Sequence, residues 1–231
     1  MAITIIDRKE QKYFLSKDKY HKILEKLEDK IEKDEYFHET IYNIYFDNDE
    51  YELMNKSLAK QDYKEKVRLR CYEKPKDDTL TFLEIKKKVL NQSNKRRIVL
   101  PYKDAKLFVK NEKKPNTSKQ ITNELFYCFQ KYQLKEKIKL LYDRYAYHLK
   151  EDENFRITFD YNIRYSIDNL DLKDDTNMRK IKKDGYIMEI KTLKGMPLWF
   201  SEMLTELKIY PTSYSKVGKI FTELKESEIY V

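Results

Sequence analysis

The stretch from Tyr63 to Tyr72, Y-K-E-K-V-R-L-R-C-Y, places Lys64, Lys66, Arg68 and Arg70 at every second position. Side chains alternate along a β-strand, so the four cations share one face and Val67, Leu69 and Cys71 the other. A half-buried strand turns its apolar face to the core and leaves the other wet. Here the wet face is a row of like charges that repels itself until something anionic lies along it. The chemistry this points to is the gripping of phosphate by charge-assisted, often bidentate hydrogen bonds.

The same period recurs elsewhere. In the first strand Arg8, Glu10 and Lys12 share a face. In T-F-L-E-I-K-K-K-V, Glu84, Lys86 and Lys88 lie with Phe82 against Leu83, Ile85 and Val89. K-R-R-I-V-L sets Lys95 and Arg97 against Arg96, Ile98 and Leu100. F-R-I-T-F-D-Y-N-I-R sets Arg156, Thr158, Asp160, Asn162 and Arg164 against Phe155, Ile157, Phe159 and Ile163. Glu189 and Lys191 share a face, and Arg144, beside Asp143, is left open by the pattern. Taken singly, each charged face is the solvated side of a sheet, and each Glu-x-Lys pair a surface ion pair worth little. Taken together, five or six strands carry Lys and Arg on one face with few acids beside them. Burying so many like charges without a ligand is costly, and a water-filled tunnel that admits a polyanion resolves the conflict. The few carboxylates, Glu10, Glu84, Asp160 and Glu189, are then candidates for Mg²⁺ or Mn²⁺, hard cations that take oxygen ligands.

The elements that must position these groups are legible as periods and breaks. Strands are expected near 8–15, 40–47, 63–74, 79–89, 95–100, 138–149, 154–164 and 185–192. A helix follows Ser16, its N-cap, with Tyr20, Ile23, Leu24, Leu27 and Ile31 at helical spacing. Helical sequence runs from Tyr102 to Lys131, broken around Pro115, and two short helices are expected at 197–207 and 215–226. Residues 168–184 read as an exposed loop. About eight mostly consecutive strands with a few helices imply an α+β fold: a closed antiparallel eight-stranded barrel with helices outside and at the C-terminus. One domain over 1–231 accommodates it.

Composition agrees with an anionic partner. The 231 residues carry 48 Lys and Arg against 40 Asp and Glu, a net charge of +8, and 20 Tyr with 11 Phe mark a folded chain. All but Arg179 of the nine arginines fall in strand-like segments, where a planar fork suits phosphate or carboxylate. Three glycines and no G-x-x-x-x-G-K-[ST] or G-x-G-x-x-G loop exclude P-loop and Rossmann phosphate binding. Cys71 and Cys128 have no metal-type spacing and read as buried thiols of a reducing compartment. No apolar run approaches the ~20 residues that span a bilayer. The expected location is the cytoplasm, with attachment at the inner face of a membrane through a separate partner as a further option.

The segments Y-K-E-K-V-R-L-R-C-Y, F-L-E-I-K-K-K, N-K-R-R-I-V-L-P-Y, Y-D-R-Y-A-Y, F-R-I-T-F-D-Y-N-I-R, M-E-I-K, and M-P-L-W-F followed by I-Y-P-T-S-Y-S-K-V-G resemble, in order, the VTC-type polyphosphate polymerase domain. That domain is one of the triphosphate tunnel metalloenzymes, with CYTH proteins as relatives. The resemblance implies a tunnel of eight antiparallel strands in which the γ-phosphate of ATP passes to a growing polyphosphate chain, with Mn²⁺ or Mg²⁺. It implies phosphate contacts from Lys12, Arg68, Arg70, Lys86, Lys95, Arg144, Arg156, Lys191 and Lys216, with Lys219 a weaker candidate, and metal binding by Glu189. We assign the catalytic role to Arg68, Arg70, Lys86, Lys191 and Lys216. Arg8, Lys12, Lys64, Lys66, Lys88, Lys95, Arg97, Arg144, Arg156, Arg164 and Lys219 form the wider phosphate-binding set.

CYTH relatives begin with Glu-x-Glu-x-Lys, where this chain has Arg8-Lys9-Glu10-Gln11-Lys12. One metal ligand is exchanged for a cation, which favours a polymerase over a simple triphosphatase. The expected partners are ATP and inorganic polyphosphate or pyrophosphate. Nucleic acid is disfavoured, because the cations are interleaved with acids on strand faces and no RNP-type motif occurs. Two alternatives stay open: a metal-dependent tunnel triphosphatase, and a non-catalytic module that binds polyphosphate or RNA.

Overall fold

A computed structural model describes residues 9–90, 92–110 and 119–227. Arg8 and the break expected around Pro115 lie outside the described residues. Along the chain run β1 (Lys9–Leu15), α1 (Lys17–Leu27), β2 (Ile31–Asp47), α2 (Glu52–Leu58), β3 (Tyr63–Cys71), β4 (Leu80–Val89) and β5 (Gln92–Pro101). Then come α3 (Tyr102–Val109), α4 (Lys119–Tyr132), β6 (Lys135–Leu149), β7 (Asp152–Ser166), β8 (Arg179–Lys180), β9 (Tyr186–Thr192), α5 (Leu198–Glu206) and α6 (Lys216–Glu226). The fold is α+β.

The strands form a nine-stranded sheet in the order β1-β9-β7-β6-β2-β3-β4-β5, with β8 paired to β7. The ladders of β1 with β9, β7 with β8 and β9, and β2 through β5 are antiparallel. The expected closed barrel of eight strands is corrected here: among the described residues no ladder joins β1 to β5. A local reason is visible on β1, whose outer edge is taken by the C-terminal segment. Lys12 O accepts from Thr212 N at 2.7 Å, and Tyr13 bridges Pro211. Proline has no N–H to continue a ladder, so it ends the pairing at an edge.

The described residues fall into two compact units, one built from the segments up to 39, 142–163 and 182–215, the other from 40–141, 164–181 and 216 onward. Each has its own core. In the first, Leu15, Ile23, Leu27, Phe155, Phe159, Met188 and Phe200 pack together. Gly185 opens β9 there because a Cβ would stand 2.6 Å from Leu15 O and 2.7 Å from Phe14 Cζ. In the second, Val67, Leu69 and Cys71 of β3 meet Leu83 and Ile85 of β4, Ile98 and Leu100 of β5, and Phe108 and Phe129. Full burial of each such side chain is worth about 1.5–3 kcal/mol, which fixes the opposite face of these strands as the wet one.

Three elements differ from expectation. β2 begins at Ile31 rather than near residue 40. Residues 179–180 pair with Tyr165 and Arg164, so Arg179 sits in a short strand and not in a loop. Helix α2 carries no side-chain cap at its own N-cap, Tyr51. Its N–H groups are satisfied from upstream, where the Asp47 carboxylate accepts from Leu53 N at 2.9 Å and Met54 N at 2.8 Å. Ser16 caps α1 as expected, its hydroxyl accepting from Lys19 N at 3.3 Å.

Candidate active site: two cationic strand faces

In the second unit, register turns four one-dimensional patterns into a grid. Arg70 pairs with Asn43 of β2 and Phe82 of β4, and Arg68 with Tyr45 and Glu84. Glu84 then pairs with Arg97, and Lys86 with both Lys66 and Lys95. Lys64 pairs with Lys88, which faces Ser93. One row is therefore Arg68, Glu84 and Arg97, and the next is three lysines, Lys66, Lys86 and Lys95. Directly opposed like charges destabilise a sheet, so the lysine row is poised for an anion.

The acid in this grid is already engaged. Glu84 Oε2 accepts from Arg68 Nε at 2.7 Å and from Nη2 at 2.6 Å, and Oε1 lies 3.2 Å from Lys95 Nζ. Burial works to raise its carboxyl, but Arg68, Arg70 and Lys95 outweigh burial and hold it at about 2. Lys95 is lowered by burial and by the Arg70 and Arg68 charges against the pull of Glu84. Two residues absent from the sequence-based set orient the guanidinium groups. The Tyr45 hydroxyl accepts from Arg68 Nη1 at 3.1 Å, and Asn43 Oδ1 from Arg70 Nε at 3.4 Å. Although burial raises the Tyr45 phenol, Arg68, Arg70 and Lys66 bring it below its ordinary value. The alternation in I-Y-N-I-Y-F-D carried this signal, since Asn43 and Tyr45 oppose Tyr42, Ile44 and Phe46. Lys216 and Lys219 stand in the first turn of α6 in this unit, Lys216 half-buried and Lys219 exposed.

In the first unit the rows are Glu10, Lys191 and Arg156, then Lys12, Glu189 and Thr158, then Phe14, Ile187 and Asp160. Lys12 Nζ lies 3.0 Å from Glu10 Oε1 and 3.4 Å from Glu189 Oε2, and Lys191 Nζ lies 2.6 Å from Glu189 Oε1. Burial works to lower the Lys12 ammonium, but Glu189 and Glu10 raise it above the usual lysine value. Arg144, which the pattern left open, takes the fully buried Asp160 in a bidentate pair at 2.5 and 2.8 Å. Arg156 Nη2 lies 2.9 Å from Asp34 Oδ2. Beyond Asp160, Asn162 takes the left-handed conformation at φ 48°, and its Nδ2 donates to Asp143 Oδ2 at 2.6 Å. Arg164, in the second unit, pairs with Lys180 of β8.

The four candidate metal carboxylates thus differ. Asp160 has both oxygens on the Arg144 guanidinium and Glu84 has one on Arg68 and one beside Lys95, whereas Glu189 meets only ammonium groups, Lys191 and Lys12. Glu10 and Glu189, on adjacent strands, share one ammonium, with one oxygen of each within 3.4 Å of Lys12 Nζ. Carboxylate oxygens are hard donors of the kind a divalent cation takes. Among the described residues no group of three or more His, Cys, Asp or Glu side chains is placed to hold a metal alone.

A family model for the VTC domain matches residues 7–220. The chain belongs to the VTC domain family. No curated protein matches the sequence. Among solved structures, this VTC domain resembles a candidate adenylate cyclase from Bacillus halodurans at 17% identity and TM-score 0.54, covering 89% of this chain and 92% of that one. It also resembles a candidate adenylyl cyclase from Hippeastrum, described as having a dominant triphosphatase activity, at 12% identity and TM-score 0.54, covering 93% and 95%. At these identities the likenesses show that the VTC domain shares the fold of the two proteins. No helix of the VTC domain, among the described residues, is long and apolar enough to cross a membrane. Both cysteines are buried, and burial pushes their thiols up to about 12.

Proposed function

We propose that this VTC domain is an ATP-dependent polyphosphate polymerase, working as one domain in the cytoplasm and along its cationic strand faces. The observation that carries the reading is the in-register lysine row beside the Arg68–Glu84–Arg97 row. A run of cations at strand spacing of about 4.8 Å suits a ligand with repeated negative charge better than a single phosphate. In the reaction a terminal oxygen of the polyphosphate attacks the γ-phosphorus of ATP. The bond to the β,γ-bridging oxygen breaks, and ADP leaves with its electron pair.

Such a transfer needs positioning and charge neutralisation rather than a protein nucleophile. Arg68, Arg70, Lys86, Lys191 and Lys216 neutralise the reacting phosphates. Lys12, Lys64, Lys66, Lys88, Lys95, Arg97, Arg144, Arg156, Arg164 and Lys219 hold the chain, and Arg8 belongs to the same set. Glu10 and Glu189 would hold Mn²⁺ or Mg²⁺, which offsets charge on phosphate oxygens when bound. Glu84 and Asp160 keep their guanidinium partners aligned.

The second reading, a tunnel triphosphatase, uses the same grip with water as the attacking group, and the triphosphatase activity named for the Hippeastrum protein speaks for it. The two separate on product. Purified protein is incubated with ATP, Mn²⁺ and a little pyrophosphate, and the products are run on a gel beside those of an Arg68→Ala/Arg70→Ala variant. A polyphosphate ladder that the variant loses supports the polymerase. Phosphate release without a ladder makes it a hydrolase, and metal-independent polyanion binding without turnover leaves a binding module.

A further inference from the structure

Thr158 sits on β7 in the row of Lys12 and Glu189, and it is 5% exposed. Its Oγ1 is buried and has no hydrogen-bond partner. Two residues back on the same face, Arg156 has a buried Nε that is likewise unpartnered, while its Nη2 is spent on Asp34. Buried polar atoms are nearly always paired, so two orphans on one short strand face call for an explanation.

The nearest acid in register does not supply it. Glu189 directs Oε1 to Lys191 and Oε2 to Lys12, both on the side of β9 and β1. What the two orphans lack is an acceptor. Thr158 can donate one O–H and Arg156 Nε one N–H, in a neighbourhood that also holds Lys12, Lys191 and the Glu10–Glu189 pair. A phosphate oxygen meets that need, since a phosphate offers acceptors only. We infer that Thr158 is a substrate-binding residue: its hydroxyl, with Arg156 Nε, donates hydrogen bonds to the phosphate held at the Glu189 end of the cationic face. The inference rests on the phosphate reading of this face and adds to it a neutral donor that selects tetrahedral oxyanions by geometry rather than by charge.

The test compares Thr158→Val, which keeps the shape and loses the hydroxyl, with Thr158→Ser, which keeps the hydroxyl. Tripolyphosphate binding to the full chain is measured by calorimetry with and without Mg²⁺, and urea melts check folding. Thr158→Val is expected to raise Kd about tenfold, the loss of one hydrogen bond to a charged acceptor. Thr158→Ser is expected to stay within about threefold of the parent. Thr158→Ala replaces the valine variant if valine disturbs the strand. Lys191→Ala serves as the control for the site. If Lys191→Ala weakens binding and neither hydroxyl-free variant does, the inference falls and the orphans are served by solvent. If none of the variants weakens binding, the phosphate reading of this face falls with it.

Discussion

Replacing Lys86 by glutamine should make the unliganded protein more stable and the liganded protein less so. Lys86 stands between Lys66 and Lys95 in one cross-strand row. Directly opposed Cβ atoms are about 5 Å apart. Two unit charges at that distance repel by about 0.8 kcal/mol in water and about 3 kcal/mol at an effective dielectric of 20. Lys86 is exposed and the Lys95 side chain is 44% exposed, so the lower figure applies. Removing the central charge relieves two such contacts, and splaying of the flexible stems leaves a gain of about 1 kcal/mol at low salt.

The same change removes one cation from the proposed phosphate track. A tenfold weaker Kd at a ligand concentration of about 100 times the parent Kd forfeits roughly 1.3 kcal/mol of ligand-induced stabilisation. The assay is a set of urea melts at about 20 mM and about 1 M salt, each with and without tripolyphosphate; at 1 M the Debye length falls to about 3 Å and the repulsion should vanish. The two melting curves are expected to exchange order when ligand is added at low salt. A variant less stable than the parent without ligand would refute the reasoning, as would a gain unchanged at 1 M salt. Either result would mean that Lys66, Lys86 and Lys95 do not repel one another across the row.

Glu84 gives an acid limb to the stability curve. Its folded carboxyl lies at about 2 against an ordinary 4.5, so its contribution is present in full above pH 4.5 and is lost as pH falls towards 2. The side chain is 2% exposed, and the shift corresponds to about 3 kcal/mol; equilibrium unfolding of the parent and Glu84→Gln between pH 5 and 2 should show the parent's excess slope. If the slopes match, Glu84 is not held by Arg68 as described. Gly185→Ala should cost about 1–3 kcal/mol, because the new Cβ would press on the Leu15 carbonyl; a melt within 0.5 kcal/mol (about the size of a surface substitution) would contradict that close approach. Glu189→Gln should abolish the metal dependence of tripolyphosphate binding measured by calorimetry, whereas Glu84→Gln should preserve it; the reverse outcome would move the metal to the second unit.

Faces were legible in the sequence, whereas register was not. Period-2 alternation in β3, β4 and β5 assigns every cation to its side, because Val67, Leu69, Leu83, Ile85, Ile98 and Leu100 leave no choice about which face is buried. Nothing in that period says that Lys66, Lys86 and Lys95 share a row, which depends on how far each strand slides against the next. The N-terminal half of β2 reads I-E-K-D-E-Y-F-H-E, with no clean alternation, and was invisible for that reason. Helix α2 lacked a local start signal because its cap, Asp47, lies four residues before the N-cap position. The closed barrel failed for a related cause: strand count predicts how many strands there are, and the use of β1's outer edge by Pro211 and Thr212 is a tertiary event.

The carboxylates carry the remaining lesson, since residue type alone made Glu10, Glu84, Asp160 and Glu189 equivalent. Their partners separate them. A guanidinium grips a carboxylate through a planar, permanently charged fork, and a buried pair of that kind is costly to break, about 3–5 kcal/mol when one partner is lost. Asp160 on Arg144 and Glu84 on Arg68 are such pairs, so each acid holds its arginine in place. An ammonium is a mobile point charge on a flexible stem. Lys12 is shared between Glu10 and Glu189 at 3.0 and 3.4 Å, and on the proposed reading it would turn to the phosphate and leave the two acids to hold a divalent cation. On that reading the phosphate would bring the counter-charge that Lys12 loses, which makes the two bindings mutually favourable and predicts that Mg²⁺ tightens tripolyphosphate binding in the parent.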